Sequence, residues 1–174
     1  FAGDLAALRE LDEDELRVMT ENGNNLVYAA AYGGQVEAIE LLLELGVDPK
    51  VTRGDGCTAV HSAAAHGHVA AIDRLVELGV DPKAVKNNGA STLHAAAQNG
   101  HLAAIDRLVE LGVDPKVTTR DGATTLLSAA TSGQVAAIAR LVELGVDPKA
   151  TMGDGWTTIH SAAEGGHVAT IELL

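Results

Sequence analysis

The heptapeptide Glu-Leu-Gly-Val-Asp-Pro-Lys occurs four times, ending at Lys50, Lys83, Lys116 and Lys149, each 33 residues after the last. Around it the copying is wider. The stretch 69–83 returns at 102–116 with Leu102 in place of Val69, and at 135–149 with Ala139 in place of Asp. A looser copy occupies 36–50. Self-similarity at a period of this size marks a stacked repeat protein, in which no unit can bury its apolar face without a neighbour. The period therefore comes first, and every other residue is weighed by whether the repeat already accounts for it.

Full units run 18–50, 51–83, 84–116 and 117–149, with a partial unit at 1–17 and a truncated one at 150–174. In the unit 51–83, Thr52-Arg-Gly-Asp-Gly56 reads as a turn. Thr58 is placed to cap a short helix over 59–66 that Gly67 ends, with Ala63, Ala64 and Ala65 as its close-packing face. A second helix is expected over 68–78, with Val69, Ile72 and Val76 on one stripe, Leu75 beside it, and Asp73, Arg74 and Glu77 facing water. Gly79 closes it, and Pro82 forces Asp81 out of helical conformation. All four prolines (49, 82, 115 and 148) fall at this point of the repeat. Helices of about eight residues do not stand alone, so each unit depends on its neighbours.

At the start, residues 3–11 match the second half of a unit, and Asp12-Glu-Asp-Glu15 offers a cap and favourable charge to a helical turn over 13–18. At the end, Ile171, Leu173 and Leu174 have no following element, and terminal repeats need a polar outer face. More chain beyond Leu174 is the expectation, with the last unit the first to fray. The chain opens on Phe1 rather than Met, so a lost targeting segment is consistent with it.

The chain is 47% hydrophobic but only 2% aromatic, which suits closely approaching aliphatic helices rather than a core built on rings. Twelve basic against 24 acidic residues leave a net charge of −12, a field that repels phosphate backbones and anionic lipid. Nucleic-acid and membrane-surface binding are disfavoured accordingly. The stretch 122–139, free of Asp, Glu, Lys and Arg, is broken by Gly133 and Gln134 and does not read as a membrane span. Cys57 is the single cysteine, so no internal disulfide forms. That leans towards a reducing, cytoplasmic setting, of the source cell or of a host into which the protein is delivered.

Asp55-Gly56-Cys57-Thr58-Ala59-Val60-His61-Ser62-Ala63-Ala64, followed by Gly67-His68 and Leu78-Gly79-Val80-Asp81, resembles an ankyrin repeat. The family pattern D-x-x-G-x-T-P-L-H-x-A-A-x-x-G-H, closing in L-L-x-x-G-A-D-V-N, is matched over essentially the whole chain. The resemblance implies an all-α solenoid of stacked helix-turn-helix units carrying β-turn or hairpin fingers. There are departures. The motif proline is Ala59, Thr92, Thr125 and Thr158 here; the motif histidine is kept at 61, 94 and 160 but is Tyr28 and Leu127 elsewhere. The closing Asn, the family's hydroxylation position, is Lys50, Lys83, Lys116 and Lys149, so that modification is not expected.

Histidine pairs raise the question of metal. His61, His94 and His160 stand where the family hydrogen-bonds Thr and backbone between turns, and His68, His101 and His167 begin second helices in matching places. Only His66 is left over by the repeat. It sits across a helix break from His68, an awkward placing for facing rings, and no carboxylate or thiolate is fixed nearby. No metal site and no cofactor is expected. Cys57 and His61 stand four apart, the spacing of a nucleophile and its base, yet Ala90, Ala123 and Trp156 replace Cys57 in other units and no orienting group completes the pair. Arg53-Gly54-Asp55 spells an integrin-recognition tripeptide, but Asp-Gly is what the repeat places at that turn (compare Asp121-Gly122 and Asp154-Gly155).

Second helices scarcely vary from copy to copy, whereas the turns and the ends of the first helices do. In the family these positions form the concave surface that grips partners. The residues that the resemblance assigns to it are Arg53, Asp55, Lys86, Asn88, Arg120, Asp121, Met152, Asp154 and Trp156 in the turns, and Tyr32, His66, Gln98, Asn99 and Thr131 at the helix ends. Tolerance of change at turn tips is the plainer explanation. Against it stand the residue types: Trp156 is the only tryptophan, and Tyr and Arg share its bias towards interfaces. The expectation is a non-enzymatic module binding a protein or peptide, with the acidic convex helices (Glu37, Glu40, Asp73, Glu77, Asp106 and Glu110) favouring basic partners. Two other classes stay open. One is a targeting segment of a larger enzyme or effector. The other is an engineered scaffold, suggested by the near-identical copies, although the missing motif proline departs from a consensus design.

Overall fold

A computed structural model describes residues 5–10, 12–16 and 25–174. Its helices in chain order are α1 (Leu5–Arg9), α2 (Glu13–Leu16), α3 (Leu26–Tyr32), α4 (Val36–Glu44), α5 (Ala59–Ala65), α6 (Val69–Glu77), α7 (Thr92–Gln98), α8 (Leu102–Glu110), α9 (Thr125–Thr131), α10 (Val135–Glu143), α11 (Thr158–Glu164) and α12 (Val168–Leu173). Asp12 and Glu15 close α2 reciprocally: the Glu15 N–H donates to Asp12 Oδ1 at 2.8 Å and the Asp12 N–H to Glu15 Oε2 at 2.9 Å. The expected turn at 20–24, and the ends of the helical stretches expected over 3–11 and 13–18, fall partly or wholly outside the described residues.

From α3 onward the helices pair antiparallel and stack in two rows. The odd-numbered helices α3, α5, α7, α9 and α11 pack in succession, and so do α4, α6, α8, α10 and α12, with α1 against α4. Residue size explains the spacing. Ala63, Ala64, Ala96, Ala97, Ala129 and Ala130 are closed to solvent, so first helices approach nearly backbone to backbone. Behind them Ile72, Leu75, Leu93, Ile105, Leu108, Leu126, Ile138 and Leu141 are fully buried in one continuous core. The second helix differs from the expected stripe. Ala71, Ile72 and Leu75 are its closed centre, while Val69 and Val76 pack half-buried at the margins. The reason is that α6 meets α4 and α8 as well as α5, so its covered arc is wider than one i, i+3, i+7 line.

Polar side chains then tie each unit to the next. Thr92, standing at a motif-proline position, donates its hydroxyl to the Pro82 carbonyl at 2.7 Å, and Thr125 does the same to Pro115 at 2.9 Å. Lys50 lies over Gly79, where a Cβ would fall 2.9 Å from Nζ; Lys83 lies likewise over Gly112 at 3.0 Å. Each lysine thus brings its charge to the C-terminal end of the next unit's second helix, where the helix dipole favours a cation. On the convex side, Arg107 bridges Asp73 (2.6 Å) and Glu110 (2.8 Å), and Arg140 bridges Asp106 (2.7 Å) and Glu143 (2.9 Å). Arg74 repeats the pattern with Glu40 and Glu77. Asp73 and Arg74 were expected simply to face water, but the 33-residue period brings Asp73 onto the arginine of the following unit. In the last rung Ala139 and Leu173 stand where Asp and Arg stand elsewhere. No helix among the described residues is long and apolar enough to cross a membrane.

The buried central layer carries the stability. Ile105→Ala should cost about 2–5 kcal/mol in urea unfolding, the range for deleting closed aliphatic groups. Ile171→Ala, at a position 38% exposed, should cost about 1 kcal/mol or less.

Candidate functional site

The turns between helix pairs project as fingers, and backbone geometry builds them. Each closes on itself: the Arg53 N–H donates to the Cys57 carbonyl (2.9 Å), Lys86 to Ala90 (2.8 Å), Thr119 to Ala123 (2.9 Å) and Met152 to Trp156 (2.8 Å). Short antiparallel bridges at Val85–Ser91, Thr118–Thr124 and Thr151–Thr157 continue three of them. Successive fingers also bond to one another. The Asn87 N–H reaches the Asp55 carbonyl at 2.8 Å, Arg120 that of Asn88 at 2.9 Å and Gly153 that of Asp121 at 3.2 Å. Gly89 is needed here twice over: its φ is +87°, and a Cβ would come 2.9 Å from the Arg120 nitrogen.

Histidines brace the fingers from below. His61 Nδ1 accepts from the Thr58 N–H (3.3 Å) and hydroxyl (2.9 Å), and the Thr58 hydroxyl accepts the His61 N–H. The proton therefore sits on Nε2, which donates to the Ala90 carbonyl of the next finger at 3.4 Å. His94 makes the same strut, through Ser91, to Ala123 at 3.1 Å. Both are buried, and burial pushes both rings down in pKa, His61 to about 4. A protonated ring would lose its acceptor at Nδ1 and carry an unpaired charge in the interior. A second set of histidines ties helix ends together: His68 Nε2–H donates to the Tyr32 carbonyl (3.0 Å), His101 to Ala65 (3.1 Å) and His167 to Thr131 (3.0 Å).

The residues assigned to the concave surface divide into two kinds. Asp55, Asn88 and Asp154 turn inward, each accepting a backbone N–H two residues on (Cys57 3.0 Å, Ala90 3.0 Å, Trp156 2.9 Å). Asp121 accepts from the Thr119 hydroxyl, which with backbone N–H groups holds its carboxyl below the usual range. Arg53 is engaged as well: its Nη1 donates to the Tyr28 hydroxyl at 3.3 Å, its guanidinium lies 5.5 Å from that ring's centroid, and Asp55 is 3.5 Å away. At the helix ends, the Asn99 amide and Thr131 hydroxyl bond back to Ala95 and Leu127. Among the described residues Lys86, Gln98 and Arg120 make no ion pair or side-chain hydrogen bond, and Gln98 and Arg120 are exposed.

Aromatic groups sit at the two ends. Tyr32 is 57% exposed, with its ring 3.9 Å from that of His66, whose Nδ1–H donates to the Ser62 carbonyl at 2.9 Å. His66 and His68 lie 6.2 Å apart and nearly parallel, 14° between planes, so the helix break does let the rings face. No group of three metal-ligating side chains occurs among the described residues. Trp156 is half-buried; its indole N–H donates to Ser161 Oγ at 2.9 Å, and its ring is 5.1 Å from His160.

Tyr28 gained no role from its sequence, yet it joins Arg53 and Cys57 across the seam between the units 18–50 and 51–83, its hydroxyl 3.9 Å from Sγ. The signal lay in register: motif position and following turn meet 29 residues apart, as in His61–Ala90 and His94–Ala123. Burial pushes the Cys57 thiol up, away from the nucleophilic thiolate. Both nitrogens of His61 are committed elsewhere, so the two do not form a nucleophile–base pair.

A family model for ankyrin repeats, spanning three copies, matches residues 2–86, 26–119 and 93–174. Comparison with curated proteins gives no match.

The histidine struts set a pH dependence. The folded His61 pKa, about 4, lies below the unfolded value of about 6.5. The strut's stability is then fully present above pH 6.5 and is lost as the pH falls towards 4, on the order of 3 kcal/mol for the whole shift. Urea midpoints should fall between about pH 6.5 and 5, above most carboxylate titration. The double variant H61Q/H94Q, which keeps a side chain suited to that capping position, should flatten the slope.

Proposed function

Because the chain belongs to the ankyrin-repeat family, whose repeats are generally protein–protein interaction modules, we propose that it binds a protein or peptide partner on its concave surface without catalysing a reaction on it. That surface is the row of finger tips together with the ends of the first helices. The observation that carries the reading is the pattern of variation between copies. Second helices repeat almost unchanged, while Tyr32, His66, Gln98, Arg120 and Trp156 break the repeat at finger and first-helix-end positions. The repeat's packing accounts for the constant positions and leaves these without a structural reason to differ. Fingers bonded to one another by backbone present the face ready-formed, so little ordering free energy is lost on binding. The net charge of −12 favours partners with basic surfaces, acting mainly on the rate of encounter. A buried, unpaired thiol at Cys57 suits a reducing cytoplasm.

The test uses the chain as bait in lysate, beside the triple variant Tyr32→Ala, Arg120→Ala, Trp156→Ala, with both shown folded by circular dichroism. A partner of the wild type should bind the variant at least about tenfold more weakly, since Trp, Tyr and Arg anchors dominate interface energetics. Equal retention would move the working surface elsewhere. The association rate should fall as salt rises, and a salt-independent rate would remove the basic-partner bias.

A further inference from the structure

The concave surface is not uniform along its length, and its composition specifies what fits it. At one end stands Tyr32, exposed but held: His66 lies against its ring and His68 against its carbonyl. At the other stands Trp156, its orientation fixed by Ser161. The 29-residue register that pairs His61 with Ala90 and His94 with Ala123 pairs Leu127 with Trp156, so no histidine strut is available to this finger. Each end therefore offers an immobilised ring, which gives contact area at low entropic cost.

The middle is different. Among the described residues Gln98 and Ser132 make no side-chain hydrogen bond, while Asn99 and Thr131 donate to Ala95 and Leu127, and Lys86 and Arg120 are carried on the fingers. Among the described residues no carboxylate forms an ion pair with either cation: Asp55 lies 3.5 Å from Arg53 and accepts from the Cys57 N–H, Asp154 accepts from the Trp156 N–H and Asp121 from the Thr119 hydroxyl. Two unanswered cations, in a molecule of net charge −12, call for one acidic group on the ligand and disfavour several. Side-chain amides also suit a ligand whose backbone N–H and C=O groups are free, which holds for an extended chain and not for a helix.

The Tyr32–His66 pair lies at the C-terminal ends of α3 and α5, and Trp156 just before the start of α11, three repeats on from His66. Stacking at about 8–10 Å per helix, with an offset of about 10 Å for one first-helix length, puts the two anchors roughly 26–32 Å apart, which about eight or nine residues of extended chain span. Accepting the concave face as the working one, we propose that it holds an extended polypeptide segment with two large apolar side chains about eight or nine residues apart and one acidic residue between them.

The probes are synthetic fluorescent peptides, Trp at one end and Leu at the other, with a Ser/Thr spacer carrying one central Asp. Spacings run from about four to fourteen residues, and affinity for the full chain is read by anisotropy. Affinity should peak near eight or nine residues, about tenfold above either extreme. Tyr32→Ala and Trp156→Ala should each weaken the best peptide about tenfold. Changing its Asp to Lys should weaken it, and the pair K86E/R120E should restore that Lys peptide. Affinity indifferent to spacing, indifferent to either aromatic variant, or accompanied by a rise in peptide helicity overturns the proposal. If every peptide fails while a captured partner is still lost by the Tyr32/Arg120/Trp156 variant, the extended-segment inference falls and the concave face stands. If that variant retains the partner too, both fall.

Discussion

Everything in this molecule depends on burial between repeats. From α3 onward its helices are six to nine residues long, too short to persist in water on backbone hydrogen bonding alone. They exist because α5 and α7, or α6 and α8, close over one another's apolar faces. The alanine pairs of the first helices set how near that approach can be, and the Ile and Leu of the second helices fill the space behind. Nearly all of this is aliphatic, in keeping with a chain only 2% aromatic. A structure held by nearest neighbours responds locally to damage, and its stability is close to a sum of unit and interface contributions.

On that apolar frame, polar contacts set register rather than supply most of the stability. Exposed ion pairs such as Arg107–Asp73 contribute about 0.2–1 kcal/mol each. Their value lies in repetition, since one arginine links its own helix to the helix before it. The histidine struts are worth more, because His61 and His94 are buried and their bonds run from a helix cap to the next finger. Departures from the family pattern prove coherent in this light. Thr92 and Thr125 replace a proline and gain a bond to the preceding loop; lysine replaces the closing asparagine and covers the next unit's glycine.

The row of fingers inherits its rigidity from the same contacts. Finger bonds to finger, and histidine props finger against helix, so side chains at the tips are displayed from a fixed backbone. The strut is replaced by Tyr28 in one unit, where it joins Arg53 and Cys57, and by Leu127 in another.

Much of the fold was legible in the residues alone, for a physical reason. A 33-residue period with glycine, proline and capping threonine at constant places determines the helix pairs, their order and their stacking, because every signal is local and repeated. Which positions vary was equally plain. Contacts that join residues one repeat apart were not: Asp73 on Arg107, Thr92 on Pro82, and Tyr28 with Arg53 and Cys57 each depend on the lateral offset of neighbouring units. The inward turn of Asp55, Asn88 and Asp154, against the unpaired Lys86 and Arg120, depends on finger geometry. So does the brace of His66 on Tyr32. The sequence by itself determined the repeat and its periodic core, since both follow from local propensity and apolar spacing. Only the tertiary structure decided which surface groups are already satisfied and which remain unpaired, because that is settled by distances between units that no single unit encodes.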